Sequence, residues 1–462
     1  MQNVAEFSDK NIKLRSTHSE DERSTLSPDF DSDNARVNSM SKVVTNPLIL
    51  KAIFAKLSLP DLKTSRLVCH DWNDVASTVL GKRVYFQLNK LFSCEISNSN
   101  EVPPVNDQLT RRLLISDKFD RSVGSDKLNA DVIAKGLTHV SGLTHEIKFL
   151  AAEKEFIPAF LEGISTLGST NIQRIDIRSA WEPHIDFTIP AEACLKLPPQ
   201  PALTSLRFHV KPIFRLDYTT VGLEFQSLTK TWLDSAPNLT TLDIAAFLCP
   251  NLEGCRNLKV LKFKFLMCYG HARNPNYLGN VIKMLGQVKD SLIELELSQA
   301  KRQGGEVEEI QTFAKLPVLP KLTRLSIRAI NAYRILGFFD DIHFPKLKTL
   351  WVQNKARCSM SYDLEVWRRH SRVEFLALTV DFWWGKEGKL PEKMIQLFPA
   401  VKEFDLTMKE MWSFPISSVN RGMKSFKMWD LKRVKVLVKE SSELIEVLRA
   451  VSLLKGIKSV HF

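Results

Sequence analysis

The most regular feature of the chain is a recurring triplet of apolar residues at positions i, i+3 and i+5. The alternation from i+3 to i+5 is typical of a short β-strand with one buried face. The triplets recur about every 28 residues, which is the behaviour of a repeat protein. Nine triplets fit closely: Ile172/Ile175/Ile177, Leu203/Leu206/Phe208, Leu239/Leu242/Ile244, Leu258/Leu261/Phe263, Leu292/Leu295/Leu297, Leu322/Leu325/Ile327, Leu347/Leu350/Val352, Val373/Leu376/Leu378 and Val401/Phe404/Leu406. Two more complete the predicted series: Met423/Phe426/Met428 and Ile457/Val460/Phe462.

Many intervals between triplets carry a helical pattern of apolar residues, so the predicted unit is strand, loop and helix. A proline often precedes the strand, as in Ala236-Pro237-Asn238-Leu239, where it stops a helix and starts an extended segment. The predicted helices cover Leu223–Leu233, Tyr277–Val288, Glu306–Leu316, Tyr362–Arg369, Pro391–Phe398 and Glu443–Leu454.

A different pattern occupies Asn46–Leu80 and predicts three short helices. In the first, Leu50, Ile53, Phe54 and Leu57 form one apolar stripe. Proline is tolerated in a first helical turn, where Pro47 lies, and Ser58 or Asp61 is suited to cap the second helix. The third helix is predicted to begin near Asp71, and Cys69 is expected to be a small buried residue. A segment this short cannot bury all of its apolar groups by itself.

The residues of this segment resemble an F-box. The resemblance rests on Leu59-Pro60-Asp61-Leu62 and Leu67-Val68-Cys69-His70-Asp71-Trp72, with Asn46 in place of the leucine that usually precedes Pro47. It implies docking on a Skp-type adaptor that links the protein to a cullin-based ubiquitin ligase. The alternative is a small helical subdomain packed on the rest of the chain. The implied adaptor contacts, or their supports, are Pro47, Leu50, Ile53, Phe54, Leu57, Leu62, Leu67, Val68 and Trp72.

The triplet series resembles the leucine-rich repeat family, although its period is irregular and the asparagine that usually closes the strand is often absent. The predicted fold is α/β: a three-helix F-box followed by a curved solenoid of strand–loop–helix units. The alternative is a doubly wound α/β domain. The predicted organisation is a disordered tail over 1–41, the F-box over 42–81, a linker with irregular first strands over 82–139, and the solenoid over 140–462. One irregular strand is predicted over Lys82–Leu88 and another at Leu113–Ile115.

The residues between the apolar positions of each strand are predicted to face solvent on the concave side. Among them, Arg324 and Arg328 lie one strand from Trp351, which lies one strand from Phe375. Tryptophan and arginine are frequent hot-spot residues, and arginine prefers carboxylate or phosphate partners. We therefore predict that Arg324, Arg328, Trp351 and Phe375, extended by Lys262 and Lys264, contact the target. A covering loop or a one-residue slip in register would instead remove Trp351 and Phe375 from this surface.

Net charge, cysteine content and the lack of targeting segments narrow the range of partners and cellular compartments. The chain has 462 residues and a net charge of +12, which favours an acidic or phosphorylated partner, but its basic residues form no long run. Seven cysteines without a pairing pattern predict reduced thiols, and neither a signal peptide nor a membrane-spanning segment is indicated. We therefore expect a cytoplasmic or nuclear protein.

No motif indicates catalysis or a cofactor. The Cys249, Cys255, Cys268 and His271 cluster does not have the spacing of a zinc module, and no phosphate-binding or nucleophile-elbow motif occurs. The expected function is therefore a non-catalytic substrate receptor, with an adaptor, a cullin and a target protein as partners and no small-molecule substrate. A repeat scaffold without a ligase role and a basic nucleic-acid-binding protein are the alternatives.

Overall fold

The computed structural model describes residues 45–88, 106–116, 133, 135–140, 142, 144–151, 156–179, 197–209, 218–266, 277–299, 316–328, 339–353, 367–381, 390–409, 426–437, 445, 448–449, 452, 454 and 460–461. The predicted tail over 1–41 and the aromatic segment over 382–385 lie outside these residues. The chain divides into two compact units: the first runs to Leu114 and includes Leu143–Glu146, and the second holds the rest. The predicted domain boundaries stay predictions.

Among its described residues, the first unit contains three α-helices: α1 (Pro47–Phe54), α2 (Leu59–Ser65) and α3 (His70–Arg83). Asn46 is the N-cap of α1, where its side-chain oxygen accepts hydrogen bonds from the backbone N–H groups of Leu48 and Ile49. Ser58 caps α2 in the same way, accepting from the N–H of Asp61. The residue that departs from the F-box pattern therefore starts the first helix.

The three helices enclose a small apolar core. Trp72 of α3 packs edge-on against Phe54 of α1, with ring centroids 5.2 Å apart. The guanidinium of Arg83 donates to the carbonyl of Leu57 at 2.6 Å and ties the end of α3 to the α1–α2 connection. The buried core residues are Leu50, Phe54, Leu62, Ala76, Val79, Leu80 and Leu109.

The first unit also contains β1 (Phe86–Gln87), which pairs in parallel with β2 (Arg112–Ser116). The predicted strand over Lys82–Leu88 is wrong in its first half, because α3 continues to Arg83. The strand predicted at Leu113–Ile115 is confirmed. A charged cluster stabilises this part: Arg112 bonds Glu146 at 3.0 Å, lies 4.0 Å over the ring of Tyr85, and Tyr85 donates to Glu146 at 2.5 Å.

The second unit is built on parallel strands that are neighbours in chain order. Because each strand pairs with the next in sequence, every strand is followed by a crossover that returns the chain to the same end of the sheet. The strands are β3 (Glu146–Ala151), β4 (Arg174–Ser179), β5 (Ser205–His209), β6 (Thr241–Ala246), β7 (Val260–Phe265), β8 (Glu294–Gln299), β9 (Arg324–Arg328), β10 (Thr349–Gln353), β11 (Phe375–Asp381), β12 (Glu403–Lys409), β13 (Arg433–Leu437) and β14 (Val460–His461).

In the part of the chain that the structure describes, four α-helices with assigned bounds cross between these strands: α4 (Phe156–Thr166), α5 (Tyr218–Ser235), α6 (Tyr277–Val288) and α7 (Leu390–Leu397). The last three confirm predicted helices, and α4 was not predicted. In the helix predicted over Tyr362–Arg369, the described residues, 367–369, are not helical. Of the helix predicted over Glu306–Leu316, only Leu316 is described, and it is not helical. Of the helix predicted over Glu443–Leu454, five residues are described, and three of them, Ile445, Leu448 and Arg449, are helical.

All nine closely fitting triplets are confirmed as the buried side of the sheet. Each of their 27 side chains is at most 4% exposed, and each i+3 and i+5 residue lies opposite its counterpart in the next strand, as Leu325 does with Leu350. The strand order contains no reversal, so the doubly wound alternative does not apply. The chain has an α/β fold of solenoid-like repeats.

The predicted triplet Met423/Phe426/Met428 is wrong. Phe426–Met428 is a short 3-10 helix in which Met428 is 78% exposed, and the strand that follows β12 is β13, with Val434 and Val436 buried. The triplet that fits this strand is Leu431/Val434/Val436. The apolar spacing alone fits both triplets, but Phe426 belongs to the turn before β13, where its ring stacks on the buried ring of Trp429.

Candidate protein-interaction surfaces

The first candidate surface is an exposed apolar area on the three helices. We call Leu48, Ile49, Ile53, Leu67 and Val68 the helical apolar surface. Leu48 and Ile53 lie on α1 and are 77% and 50% exposed, whereas Leu67 and Val68 lie between α2 and α3 and are 85% and 60% exposed. Because several large aliphatic side chains are left this exposed on one small unit, we treat them as a candidate interaction surface.

The nine predicted adaptor residues divide into two roles. Leu50, Phe54 and Leu62 are buried in the core, and Leu57 and Trp72 are half-buried against it, so these five support the helices. The other four are exposed: Pro47, Ile53, Leu67 and Val68.

Three residues of this helical segment were missed or misjudged in the sequence. Leu48 and Ile49 follow the capping residue Asn46 and project outward, although only the stripe at Leu50 was predicted to matter. Cys69 was expected to be buried and is exposed, at the start of α3. The first turn of a short helix exposes its side chains because no preceding turn covers them.

The second candidate surface is the outward face of the parallel sheet. The strand registers place the predicted outward residues in continuous rows across the strands: Arg324, Ser326 and Arg328 of β9 lie opposite Thr349, Trp351 and Gln353 of β10. The possible one-residue slip in register does not occur. Trp351 and Phe375 are half-buried, as outward residues of a sheet with large neighbours are.

At the β4–β6 end, this face is covered by closely paired charges. Arg178 grips Asp176 with two nitrogens, the shorter contact being 2.8 Å, and Arg207 donates to Asp243 at 2.7 Å. His209 also contacts Asp243, at 2.8 Å. Burial raises the pKa of Asp243, but the hydrogen bond and charge of His209 and the charge of Arg207 outweigh it and hold the pKa below its usual value. These charges satisfy one another.

On β7–β9, the charges are paired only loosely. The carboxylate of Glu294 lies 3.9 Å from Lys262 and 3.8 Å from Arg324, both beyond hydrogen-bonding distance. The Nε of Arg328 lies 3.3 Å from a carboxylate oxygen of Glu296. Exposed pairs of this kind contribute little to stability, so their cations are available to another partner at small cost.

An uncharged aromatic area follows on β10 and β11. We call Thr349, Trp351, Gln353, Phe375, Ala377 and Thr379 the aromatic window. The rings of Trp351 and Phe375 lie 5.3 Å apart, and the guanidinium of Arg433 on β13 lies 5.9 Å from the ring of Phe375. The predicted target residues Trp351 and Phe375 are therefore in contact, with Arg324 and Arg328 on the next strand. Sequence reasoning missed Arg433, because its strand was assigned to the wrong triplet.

The remaining candidates carry no site. Cys249 and Cys255 are separate thiols, and burial raises their pKa values to about 12 and about 11, so neither is a reactive nucleophile. Within the described ranges, no three His, Cys, Asp or Glu side chains could hold a metal ion together. Cys268 and His271 lie outside those ranges. Among the helices described, none is long and apolar enough to cross a membrane.

These surfaces define an α/β repeat protein with two candidate areas for binding other proteins. No family model matches the chain, and no curated protein matches it. Among solved structures, it is similar to the complex of Rad7 and Elc1 in yeast, with 13% sequence identity and a TM-score of 0.29, over 83% of this chain and 94% of that chain. A likeness at this level carries no argument about function, which rests here on the residues themselves.

Proposed function

We propose that the protein is a non-catalytic substrate receptor of a cullin-type ubiquitin ligase, active in the cytoplasm or nucleus. In this proposal the three helices are an F-box that binds a Skp-type adaptor, and the leucine-rich-repeat sheet binds a target protein. The observation that carries it is the helical apolar surface. Leu67 is 85% exposed although it belongs to the Leu-Val-Cys segment on which the F-box resemblance depends.

The division of roles among the predicted residues supports this proposal. An adaptor needs apolar side chains that are free to be covered, and a rigid base that holds them in place. Leu50, Phe54 and Leu62 supply the base, while Leu67 and Val68 supply the contact. The receptor would then promote ubiquitin transfer by holding the target near the conjugating enzyme, through effective concentration and orientation.

The first test is co-purification of the full-length chain with a Skp-type adaptor. We expect the wild-type chain to bind and a Leu67→Asp/Val68→Asp variant to lose at least tenfold in affinity, because two charges would be buried without partners. Both side chains are exposed, so the free protein should keep its fold. Trp72 is a poorer choice for this test, because its ring packs on Phe54 and its loss would loosen the helices.

A matched control is Val318→Asp/Ile342→Asp, which changes two exposed aliphatic residues of the repeat unit, 43% and 68% exposed. It should bind the adaptor like the wild-type chain. If the wild-type chain does not bind the adaptor, or if both double variants bind equally well, the receptor proposal fails. The protein would then be a repeat scaffold without a ligase role.

A further inference from the structure

We infer that the outward face of β7–β11 binds an extended acidic polypeptide segment, with one large apolar side chain of that segment seated on Trp351 and Phe375. The inference rests on the part of the proposed function that gives this face to a target protein, and it is independent of adaptor binding. It depends on which cations of the face are already satisfied and which are not.

Register decides which cations are satisfied. Arg207 lies directly opposite Asp176 on one side and Asp243 on the other, and it contacts both. Arg328 lies opposite Ser298 and Gln353, neither of which is charged. It reaches Glu296 only diagonally, and within the described residues its two terminal nitrogens make no hydrogen bond.

Lys264 is in the same situation. It is exposed and lies opposite Ala245 and Ser298, and no carboxylate of the described residues lies within ion-pair distance of it. We call Lys264 and Arg328 the basic edge, because both occupy the last outward position of their strands. The register row that contains Lys264 and Arg328 carries no acidic residue in any strand from β4 to β13, the residues being Arg178, His209, Ala245, Lys264, Ser298, Arg328, Gln353, Thr379, Thr407 and Leu437. Beyond this row, β11 and β12 continue to Asp381 and Lys409, which lie opposite each other.

The aromatic window continues this edge. On each of the other strands from β4 to β13 at least one residue of these three outward rows is charged, whereas on β10 and β11 none is, the nearest charged residue of β11 being Asp381, opposite Lys409 of β12. A pair of half-buried rings flanked by exposed arginines is the arrangement found at binding hot spots, where the surrounding polar groups exclude water from a central apolar contact. A ligand complementary to this face would therefore carry one apolar side chain beside acidic residues.

Strand spacing fixes the spacing of the segment. Adjacent strands lie about 4.8 Å apart, so Lys264 on β7 and Arg328 on β9 are separated by about 10 Å across the sheet, or about three residues of extended chain. The window begins one strand further on. A segment crossing the strands would place two carboxylates about three residues apart and its apolar anchor about two to three residues after the second, since the two rings lie one and two strands beyond Arg328.

Carboxylates fit this edge better than a single phosphate. Two cations separated by one intervening strand present two separate points of charge, and each can meet its own acidic side chain. One phosphate group, which is compact, would be held best by cations that converge. The arrangement thus selects an acidic segment over a singly phosphorylated one.

The test uses fluorescein-labelled peptides and fluorescence anisotropy with the full-length chain and no adaptor. The probe is a ten-residue glycine–serine peptide with glutamate at positions 2 and 5 and phenylalanine at position 8. The comparison peptides are one in which the same residues are reordered and one in which a single phosphoserine replaces both glutamates. We expect the ordered glutamate peptide to bind at least tenfold more tightly than either.

Three variants locate the binding. Arg328→Ala and Trp351→Ala should each weaken the peptide about tenfold, whereas Lys435→Ala, which removes an exposed cation of β13 on the same face, should change affinity less than twofold. The side chain of Arg328 is half-exposed, so Arg328→Ala should leave the fold intact. This variant therefore still tests the inference if Trp351→Ala disturbs the fold.

The inference is wrong if no peptide binds, if the reordered peptide binds equally well, or if Lys435→Ala costs as much as Arg328→Ala, since attraction would then follow net charge alone. Tighter binding of the phosphoserine peptide would overturn the choice of carboxylates. The peptide test and the adaptor test are independent. A negative peptide result would not contradict adaptor binding, and a failure of adaptor binding would not contradict peptide binding.

Discussion

At the scale of the residue, the least expected group is His370, which sequence reasoning gave no role. Its side chain is fully buried, with Nε2 3.0 Å from the carbonyl oxygen of Phe344 and Nδ1 3.1 Å from a carboxylate oxygen of Asp341. Burial lowers the pKa of His370 and outweighs the opposing effect of Asp341 and Asp340, with Arg372 acting in the same direction as burial. The neutral imidazole is therefore part of the folded state.

This makes stability depend on pH in a defined direction. An unfolded histidine gains its proton near pH 6.5, whereas folded His370 stays neutral to lower pH. Below about pH 6.5, the unfolded state thus binds more protons, and acidification should lower the free energy of unfolding by at most about 1.4 kcal/mol per pH unit. Urea unfolding at pH 7.5 and 5.5 measures this, with His370→Gln as the variant that lacks the titration.

The comparison of slopes decides the outcome. The wild-type chain should lose more stability between the two pH values than His370→Gln does. Equal slopes would show that His370 does not contribute. A wild-type chain that gains stability on acidification relative to the variant would show that Asp341 raises the histidine pKa more than burial lowers it.

At the scale of the element, the sequence located helices and strands well where the apolar pattern was complete. The sequence did not predict the strand β3. The triplet pattern requires an apolar residue at position i, and in β3 that position is occupied by Thr144. Thr144 is fully buried and donates through Oγ1 to the carbonyl of Thr110 at 3.0 Å, so a hydrogen bond replaces an apolar contact. A one-letter pattern cannot show that partner, since Thr110 lies 34 residues away.

Two helical glycines provide a matched element-scale prediction. A Cβ atom added to Gly81 in α3 would lie 1.8 Å from the backbone oxygen of Gln108, whereas one added to Gly286 in α6 would meet nothing within 4 Å. Gly81→Ala should therefore destabilise the protein by about 1–3 kcal/mol through overpacking. Gly286→Ala should stabilise it by up to about 1 kcal/mol, because alanine favours the helix. Thermal unfolding of the two variants measures both effects, and a stabilised Gly81→Ala would contradict the close approach of α3 to Gln108.

At the scale of the whole molecule, the repeat unit is a series in which each strand pairs only with its neighbours in sequence. Stability in such an array is a sum of local terms and nearest-neighbour terms. Nearly all of its buried side is aliphatic or aromatic, and the rows stay in register from β4 to β13. A local defect should therefore spread to adjacent strands first.

The prediction concerns Leu350, which is fully buried on β10. Leu350→Ala should cost about 2–5 kcal/mol, because the lost side chain leaves a cavity in a packed core. Hydrogen exchange should show the largest loss of protection on β9, β10 and β11, and a smaller loss on β4 and β5. A uniform loss over all strands would instead show that the repeat unit unfolds as one cooperative body.

The sequence by itself determined the repeating unit and the face that each residue occupies. Strand side chains alternate with a period of two, so a buried triplet fixes which residues of the same strand face outward. For the same reason the sequence placed Trp351, Phe375, Arg324 and Arg328 on one face. It also located the three helices of the first unit, whose apolar stripe and capping residues are local signals.

Only the tertiary structure decided which of those outward residues are free to bind. Arg207 and Arg328 look alike in sequence, but Arg207 lies between two aspartates and Arg328 between a serine and a glutamine, because register sets the neighbours of each. The exposed state of Leu67 and the correct strand at Val434 were decided in the same way. Burial and charge pairing depend on residues that lie some 30 positions away, and no local pattern contains that information.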